Sequence, residues 1–468
     1  MLGRTRHVHF VGIGGIGMSG IAELLANLGY AVTGSDARAS DTTARLTQAL
    51  GITVFDGHAA GQIGDADVVV VSSAVRPDNP EVAEAARRGI PVIPRAEMLA
   101  ELMRLRFAIA VAGSHGKTTT TSMIALVLER AGLDPTAVIG GRLSAFGSNA
   151  RLGRGELMVA EADESDRSFL MLLPSIAVLT NIDHEHMETY GSFEDLQQAF
   201  ADFANKVPFY GTVVACVDDA SLSAVLPRVK RPVVTYGLEH PRAHVRGVDV
   251  ELGSFGGRCR VVRRHPDETT EDLGMLELSV PGRHNLQNAL AAVAVGEAVG
   301  LGFARVAAAL SGFHGAERRF ERHGEEGGVL VVDDYGHHPT EIAAVLAAAR
   351  ATFDRRLVVA FQPHRYSRTR ALFDQFGPSL AAADQIVLTD IYSAGEEPIP
   401  GVDLDSLAAS VSSGSGRQVH VVRQLDGLVP ALLRIVEPGD LVLTLGAGSI
   451  ASVPRRLMAA LRERGARA

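Results

Sequence analysis

The stretch VAGSHGKTTTTSM, residues 111 to 123, ends an apolar strand pattern and begins a helix pattern. Gly116, Lys117 and Thr118 match the second half of the phosphate-binding loop G-x-x-x-x-G-K-S/T, but a valine stands where its first glycine belongs. Gly113 follows that valine and shortens the loop. Because a lysine neutralises phosphate charge and a hydroxyl can bind Mg²⁺, this loop predicts a site for a nucleoside triphosphate.

A second glycine-rich loop lies upstream, in HFVGIGGIGMSGIAEL (9–24). Gly12, Gly14 and Gly17 fit the pattern G-x-G-x-x-G between a strand and a helix, and Asp36 ends the next strand pattern. This layout is that of a dinucleotide fold, in which backbone amides at a helix N-terminus hold a pyrophosphate. NAD and a UDP-sugar both carry a pyrophosphate, so the pattern leaves the ligand open. A tight turn without a ligand also fits it.

Apolar strands and helical stretches alternate along most of the chain. Strands such as VVVV (68–71) lack polar alternation, which is typical of parallel sheets covered on both faces and predicts an α/β fold. The helix signal weakens between about 211 and 280, where β-branched residues are frequent, so we expect a small antiparallel addition there. The alternation falls into three series, which predict domains at 1–105, 106–315 and 316–468.

Composition narrows the class of protein. The chain has 468 residues and a net charge of −9, without a basic run interleaved with aromatic residues. This argues against nucleic acid or an anionic membrane as the main partner. Apolar runs stay well short of the roughly 20 residues that a membrane span needs. Two cysteines, Cys216 and Cys259, cannot form a disulfide framework. We therefore expect a soluble cytoplasmic enzyme, whose oligomeric state the sequence leaves unknown.

Acidic residues follow two strands of the central series. EADESD (161–166) comes after one strand and NIDHEHMETY (181–190) after the next. Because ligands sit at the carboxyl ends of strands in open α/β sheets, these clusters are expected to face the phosphate loop. Carboxylates beside a triphosphate favour Mg²⁺. Zinc is the alternative, since histidines accompany them and His337 and His338 are adjacent, although no thiolate is near.

Taken in order, these motifs and several others resemble the Mur ligases, and the similarity spans essentially the whole chain. The motifs are GIGGIGMSGIA, AGSHGKTTTT, EADESDRSFL, TNIDHEHMETY, PGRHNLQNALAA, RRFE, DDYGHHPTE, FQPHRYSRTR, DIYSAGE and GAGSI. The shortened phosphate loop is the usual form in that family. Within the family the chain is most similar to the branch that joins L-alanine to UDP-N-acetylmuramate in peptidoglycan precursor synthesis.

The resemblance implies three domains: a Rossmann-like N-terminal domain for the UDP-sugar, a central P-loop-like ATPase domain and a C-terminal Rossmann-like domain for the amino acid. It also implies site residues. For the UDP-sugar these are Gly12, Gly14, Gly15, Gly17 and Ser72. For ATP they are Gly113, Ser114, His115, Gly116, Lys117, Thr118, Thr119, Asn285, Asn288, Arg319 and Asp334. For Mg²⁺ they are Thr118, Glu161 and His186, and for the amino acid His337, Arg365, Arg368 and Arg370.

Some of these residues also have simpler interpretations. Histidine is a poor ligand for a hard cation, so His186 can instead lie behind the metal ligands. Asn285 and Asn288 fit helix-capping positions. The arginines fit basic surface turns. Two features depart from the family: Glu185 and Glu188 stand where aspartates are usual.

The resemblance implies a mechanism with four catalytic residues: Lys117, Glu161, His186 and His337. A carboxylate is a poor electrophile, and ATP converts it to an acyl phosphate that an amine can attack. Lys117 and a metal would stabilise the transferring phosphoryl group. The amine must be neutral to attack, and His337 is the candidate base. Sister ligases use a carbamylated lysine near a second metal, a role that we do not transfer to Lys206.

Three other functions are weighed against this one. An NAD-dependent dehydrogenase explains the first glycine loop but leaves the phosphate loop and the acidic strand ends without a role. A nucleotide-driven switch protein explains the phosphate loop but not the first glycine loop. The nearest alternative is a related ligase that recycles a whole tripeptide onto the same UDP-sugar. The residues of the motifs EADESD and DDYGHHPTE (333–341) favour the L-alanine branch.

Overall fold

The structure is a computed structural model that describes residues 3–72, 75–143, 148–253, 256–315 and 318–467. The chain forms two compact units. The first takes in the chain up to Val250, with Cys259–Glu277 and Leu286–Phe313. The second takes in Glu251–Arg258, Leu278–Asn285 and the chain from His314 onward.

The N-terminal part of the first unit is a parallel sheet of five described strands in the order β3-β2-β1-β4-β5. The strand order reverses between β1 and β4, which is where ligands bind in such sheets. Buried side chains such as Val8 on one face and Val69 on the other fill both sides of the sheet, as the unbroken apolar runs predict. The strands are β1 His7–Val11, β2 Ala31–Asp36, β3 Thr53–Asp56, β4 Val68–Val71 and β5 Val92–Pro94. The helices are α1 Ile16–Asn27, α2 Asp41–Leu50, α3 Pro80–Arg88 and α4 Arg95–Met103.

The central part of the chain forms a sheet of ten described strands in the order β15-β14-β13-β12-β11-β10-β6-β9-β7-β8. β6 lies between β9 and β10, parallel to both. The strands are β6 Phe107–Ala112, β7 Thr136–Leu143, β8 Ser148–Arg151, β9 Leu157–Glu161, β10 Ile176–Leu179, β11 Thr212–Cys216, β12 Val233–Gly237, β13 Val245–Gly253, β14 Gly256–Arg264 and β15 Thr270–Leu278. The helices are α5 Lys117–Arg130, α6 Met187–Tyr190, α7 Phe193–Asn205, α8 Ala220–Val225, α9 Arg283–Ala298 and α10 Phe303–Leu310.

The predicted antiparallel addition is present at one end of this sheet. β13 and β14 are separated by two residues, a connection that only antiparallel neighbours allow. The amide of Arg264 donates to the carbonyl of His244, which pairs the end of one strand with the start of the other. The addition is shorter than predicted and begins at β13, because the earlier part of the stretch contains α8 and the parallel strands β11 and β12.

The C-terminal part of the second unit is a sheet of six described strands in the order β16-β17-β21-β18-β19-β20. All pairs are parallel except β16 with β17. The strands are β16 Glu321–Glu326, β17 Val329–Asp334, β18 Leu357–Phe361, β19 Gln385–Thr389, β20 Val419–Val422 and β21 Leu441–Leu445. The helices are α11 Pro339–Thr352, α12 Tyr366–Ala371, α13 Phe376–Leu380, α14 Leu404–Ser415, α15 Leu428–Ile435 and α16 Val453–Arg467.

These sheets confirm the predicted α/β class. The domain boundaries stay predictions: residue 105 falls between α4 and β6, and residue 316 lies outside the described residues. Among the helices that the structure describes, none is both long enough and apolar enough to span a bilayer.

Candidate functional site

The first glycine loop connects β1 to α1 and is held by the end of β2. The amides of Gly12 and Ile13 donate to the carbonyl of Ser35 at 2.8 and 3.0 Å. The amide of Gly14 donates to Oδ2 of Asp36 at 2.8 Å. A Cβ on Gly14 would stand 2.8 Å from that same oxygen, so only glycine allows the contact.

A cavity of about 770 Å³ opens beside this loop. Gly12, Gly14, Gly15 and Ser72, four of the residues predicted for the UDP-sugar, line it together. Gly17 is not among the described residues that line the cavity. Gly17 instead lies close to the Arg95 guanidinium: a Cβ on Gly17 would stand 2.5 Å from Nη1 of Arg95.

The phosphate loop connects β6 to α5. Gly113 has φ +146°, and a Cβ there would lie 1.9 Å from Oγ1 of Thr180, so this position requires glycine. The amide of His115 donates to Oδ1 of Asn181 at 2.8 Å, and Thr180 Oγ1 donates to the His115 carbonyl at 2.6 Å. The polar residues that follow β10 thus shape the shortened loop.

Lys117, the first residue of α5, is enclosed by acceptors. Its Nζ donates to the carbonyls of Gly113 and Ser114 at 2.6 and 3.1 Å, and lies 2.8 Å from Oε2 of Glu164. Burial favours the neutral amine, but the charges of Glu164 and Asp163 outweigh it and raise the pKa of Lys117 well above its usual range. For Glu164, burial outweighs the attraction of Lys117 and raises the pKa to about 7.

Thr118 and Glu161 form a pair of hard oxygen donors. Thr118 lies at the start of α5, which follows β6, and Glu161 ends the neighbouring strand β9. Thr118 Oγ1 donates a hydrogen bond to Oε2 of Glu161 at 3.0 Å. A hydroxyl and a carboxylate at this separation suit Mg²⁺, which prefers oxygen ligands. The next residue, Thr119, is 7% exposed and lies in the first turn of α5.

The acidic strand end after β10 lies against the same loop. His115 Nε2 is 3.0 Å from Oδ2 of Asp183. Glu164, Glu185 and His186 each offer one ligand atom, and these atoms lie within 4.8 Å of one another. His186 Nε2 is 3.4 Å from Oε2 of Glu185 and has φ +58°. No cysteine belongs to this described group, and its carboxylates suit a hard cation better than zinc.

Both asparagines of GRHNLQN lie in α9. Asn288 contacts the phosphate loop, because a Cβ on Gly116 would stand 2.8 Å from its Oδ1. Asn285 Nδ2 donates to the carbonyl of Pro281 at 2.7 Å, within the second unit.

In the second unit, Asp334 ends β17 and accepts hydrogen bonds at 2.7 Å from the amides of Gly336 and Phe320. Burial nevertheless raises the pKa of Asp334 to about 6, against the attraction of Arg319. The Arg319 guanidinium lies 5.1 Å from the centre of the Tyr335 ring. A buried carboxyl and a stacked guanidinium thus stand together at a strand end.

A row of four rings follows the carboxyl ends of β17, β18 and β19. Successive centroids of Tyr335, His337, His364 and Tyr392 are 5.5, 5.6 and 5.5 Å apart. Arg368 Nη1 donates to Nδ1 of His364 at 3.2 Å. Burial, then the charges of His337 and Arg368, lower the pKa of His364 to about 3. His364 is therefore a neutral acceptor.

The other residues predicted for the amino acid are His337, Arg365 and Arg370. His337 Nδ1 is 3.5 Å from Oε2 of Glu341. Arg365 has φ +68°, its amide donates to the carbonyl of Tyr392 at 2.8 Å, and its side chain is exposed. Arg370 is also exposed.

Sequence reasoning missed two functional candidates of these clusters. Glu164 lies among acidic neighbours in EADESD (161–166), and nothing local singles it out as the partner of Lys117. His364 directly precedes Arg365 in PHRYSRTR (363–370), and the three arginines that follow it are the signal in the sequence that points to it.

Three family models match the chain in sequence order. The Mur ligase family catalytic domain matches residues 7–107, the Mur ligase middle domain matches 111–296, and the Mur ligase glutamate ligase domain matches 318–448.

Curated relatives match nearly the whole chain. The UDP-N-acetylmuramate–L-alanine ligase of Syntrophus aciditrophicus is 53% identical over 460 residues, 98% of this chain and 94% of the relative. That of Myxococcus xanthus is 55% identical over 462 residues, 98% of this chain and 96% of the relative.

Solved structures share the fold. UDP-N-acetylmuramate–alanine ligase from Thermotoga maritima has a TM-score of 0.82 at 31% identity, covering 98% of this chain and 99% of that one. A murein peptide ligase from Psychrobacter arcticus has a TM-score of 0.72 at 27% identity, with the same coverage of both chains.

Proposed function

Since the chain belongs to the Mur ligase family, we propose that it uses ATP to join L-alanine to the carboxylate of UDP-N-acetylmuramate. The product is a precursor of peptidoglycan. Curated relatives that carry this activity as their name exceed 50% identity over nearly the full chain. ADP and phosphate are released.

The observation that carries the proposal is the environment of the phosphate loop. Lys117 and the pair of Thr118 and Glu161 bring an ammonium, a hydroxyl and a carboxylate to one strand edge. These are the groups that phosphoryl transfer from ATP requires. A dehydrogenase makes no use of them.

The cavity beside the first glycine loop is the proposed site of the UDP-sugar. Backbone amides at the start of α1 suit a pyrophosphate, and Ser72 adds a hydroxyl. The carboxylate of Asp36 accepts a hydrogen bond from the Gly14 amide and so holds the glycine loop in place. In dinucleotide folds the corresponding carboxylate contacts the ribose of NAD.

The proposed chemistry follows from what an amide bond needs. The sugar carboxylate attacks the γ-phosphate, ADP leaves, and the acyl phosphate then accepts the amine of alanine. Lys117 stabilises the charge that develops on the β- and γ-phosphates. A Mg²⁺ ion would be held by Thr118, Glu161 and His186 and would neutralise phosphate charge.

The second unit supplies the proposed amino-acid residues. Arg365 and Arg368 would hold the α-carboxylate, since a guanidinium makes a two-point contact with it. His337, beside Glu341, would take the proton of the amine. Asn285, Asn288, Arg319 and Asp334 would bind the adenine nucleotide.

We also propose the domain limits 1–105, 106–315 and 316–468 and a cytoplasmic location. The reaction consumes ATP, and the two cysteines are buried free thiols, which fits a reducing compartment.

A competition assay tests the acceptor. ATP turnover with UDP-N-acetylmuramate is measured against glycine, L-serine, L-alanine and a murein tripeptide. L-alanine should be preferred, with glycine and L-serine as weak substrates, because one methyl group discriminates by only about 1–3 kcal/mol. Preference for the tripeptide would instead indicate a recycling ligase.

An isotope experiment tests the activation step. Sugar carboxylate labelled with ¹⁸O should transfer one label to inorganic phosphate, because the carboxylate oxygen stays with the phosphoryl group when the amine displaces it. Label in AMP, or pyrophosphate among the products, would contradict the acyl phosphate.

A further inference from the structure

A short helix carries the two arginines proposed to hold the α-carboxylate of the amino acid. Arg365 directly precedes α12, and Arg368 lies in its first turn. With only six residues, Tyr366–Ala371, α12 is too short to be stable through its own hydrogen bonds. Contacts with other segments must therefore set the orientation of α12, and with it the positions of both guanidinium groups.

The first turn of α12 has no capping group in its own sequence. The amides of a first helical turn have no partner within the helix, and a preceding Ser, Thr, Asp or Asn side chain commonly accepts from them. Arg365 occupies that position, and among the described residues its side chain makes no capping hydrogen bond. A guanidinium is a donor only, so the acceptor has to come from elsewhere in the chain.

Glu396, 29 residues after Ser367, supplies that acceptor. Its Oε2 accepts from the Ser367 amide at 3.0 Å, and its Oε1 accepts from the Ser367 hydroxyl at 2.6 Å. Burial alone would raise the pKa of Glu396, but the hydrogen bonds from Ser367 and the charge of Arg365 outweigh it and lower the pKa. An ionised carboxylate therefore lies at the N-terminus of the helix, where negative charge is stabilising.

The turn that presents Glu396 is strained. The Glu396 amide donates to the Ser393 carbonyl at 3.0 Å, which closes a turn over Ala394 and Gly395. Gly395 has φ +88°, and Ala394 has φ +50°, in the left-handed region that alanine rarely adopts. Such strain persists only where the surrounding structure holds the backbone in place, and the two hydrogen bonds to Ser367 are contacts of this kind.

The same loop also contacts the residues just before the helix. The Tyr392 amide donates to the Pro363 carbonyl at 2.9 Å, and the Arg365 amide donates to the Tyr392 carbonyl at 2.8 Å. The Tyr392 ring stacks on His364, which accepts from Arg368. These contacts fix the chain that leads into α12, whereas Glu396 binds the helix itself.

We propose that Glu396 is a positioning residue for L-alanine: by capping α12 it holds Arg365 and Arg368 where they bind the α-carboxylate. This inference rests on the proposed function. A guanidinium makes a two-point contact with a carboxylate only in a narrow range of orientations. Without its cap, α12 can pivot about the fixed chain before it, and affinity for the amino acid falls.

Two other roles of Glu396 would give different kinetics. If Glu396 only neutralised Arg365, its removal would leave more positive charge for the α-carboxylate, and KM for L-alanine would fall. If Glu396 only stabilised the second unit, its removal would reduce the fraction of folded enzyme, which lowers the apparent kcat and leaves KM unchanged. A rise in KM for L-alanine alone therefore distinguishes positioning from both.

The experiment is steady-state kinetics of ligation, in which L-alanine, ATP and UDP-N-acetylmuramate are each varied with the other two saturating. The proteins are the wild type, Glu396→Ala, Glu396→Gln, Ser367→Ala and the double variant Glu396→Ala/Ser367→Ala. Glu397→Ala is the matched control, because Glu397 is the next residue, carries the same charge and is exposed. Thermal melting checks that each variant is folded.

Glu396→Ala should raise KM for L-alanine about tenfold and leave kcat and the other two KM values within about twofold. Glu396→Gln keeps one acceptor oxygen and Ser367→Ala keeps the amide donor, so each should raise this KM only about threefold. The double variant should be no weaker than Glu396→Ala, because both changes remove the same contact. Glu397→Ala should behave as the wild type.

An unchanged or lower KM for L-alanine in Glu396→Ala would overturn the inference. A loss of kcat alone, an equal rise in all three KM values, additive effects in the double variant or the same rise in Glu397→Ala would also overturn it. If Glu396→Ala does not fold, Glu396→Gln and Ser367→Ala decide. A wild type that does not ligate L-alanine would contradict the proposed function instead.

Discussion

The ammonium of Lys117 lies 2.8 Å from Oε2 of Glu164, whose side chain is 1% exposed. The lysine of the phosphate loop therefore has a buried counter-charge that comes from the turn after β9. Burial raises the pKa of Glu164 to about 7 even with Lys117 beside it. A phosphate that draws Lys117 away would favour protonation of this carboxyl, which limits the cost of separating the pair.

Replacing Lys117 should impair the proposed ATP site and leave the proposed UDP-sugar site intact. Lys117→Ala should lower ligation at least about a hundredfold, because the charge that stabilises phosphoryl transfer is lost. UDP-sugar binding should be nearly unchanged, since Lys117 contacts the phosphate loop and does not line the first cavity. Product formation and calorimetric titration of the sugar measure the two effects.

Lys206→Ala is the matched control, because it also removes one lysine charge, at the end of α7. It should retain both properties. Equal losses of turnover and sugar affinity in Lys117→Ala would refute the assignment of two sites.

The two glutamates of the acidic turn should differ in metal dependence. Glu161→Ala should raise the Mg²⁺ concentration for half-maximal activity about tenfold or more, because Glu161 pairs with the Thr118 hydroxyl. Glu164→Ala should raise this Mg²⁺ concentration far less than Glu161→Ala does, because the carboxylate of Glu164 pairs with Lys117. Activity is measured across a Mg²⁺ titration. The same metal requirement in both variants would mean that the wrong carboxylate was chosen.

Arg318 should contribute strongly to the stability of the second unit. Its Nε lies 2.7 Å from Oδ2 of Asp333, and that side chain is 1% exposed. Arg318→Ala leaves a buried carboxylate without its cation and should cost about 3–5 kcal/mol. The deficit should shrink as pH falls, because protonation of Asp333 removes the buried charge. Hydrogen exchange in β17 and β21 measures this free energy locally.

Arg423→Ala is the control for that variant. Arg423 pairs with Asp405 at 2.8 Å, but both side chains are more than half exposed. Its loss should cost less than about 1 kcal/mol. Comparable costs for the two variants would show that burial does not decide the contribution of these pairs.

His364 should make the second unit sensitive to acid. Burial, then the charges of His337 and Arg368, lower its folded pKa to about 3, whereas an unfolded histidine titrates near about 6.5. Between these values the unfolded chain binds a proton that the folded chain does not. Stability is therefore complete above about pH 6.5 and is lost as pH falls toward 3.

His364→Asn tests this, since the amide oxygen can still accept from Arg368. The variant should be less stable than the wild type at neutral pH but should lose less on acidification. Hydrogen exchange of β18 and β19 across this range supplies the comparison. Parallel pH profiles would assign the acid sensitivity to another group.

The periodicity of apolar residues and the positions of glycine were enough to predict the α/β class and both strand-to-helix loops. These are local properties: an unbroken apolar run such as VVVV (68–71) needs cover on both faces. Gly113 is likewise identified as a loop glycine by its position between an apolar strand and the start of a helix. The antiparallel meander after β12 followed from a weak helix signal and frequent β-branched residues.

Only the tertiary structure decided which polar groups meet. Glu161 and Glu164 are three residues apart in one acidic turn, yet one faces Thr118 and the other Lys117. Glu81 looks like a surface helix residue and is fully buried. Pairing and burial of this kind depend on where separate strands and helices come together, and the pattern of a single segment does not contain that information.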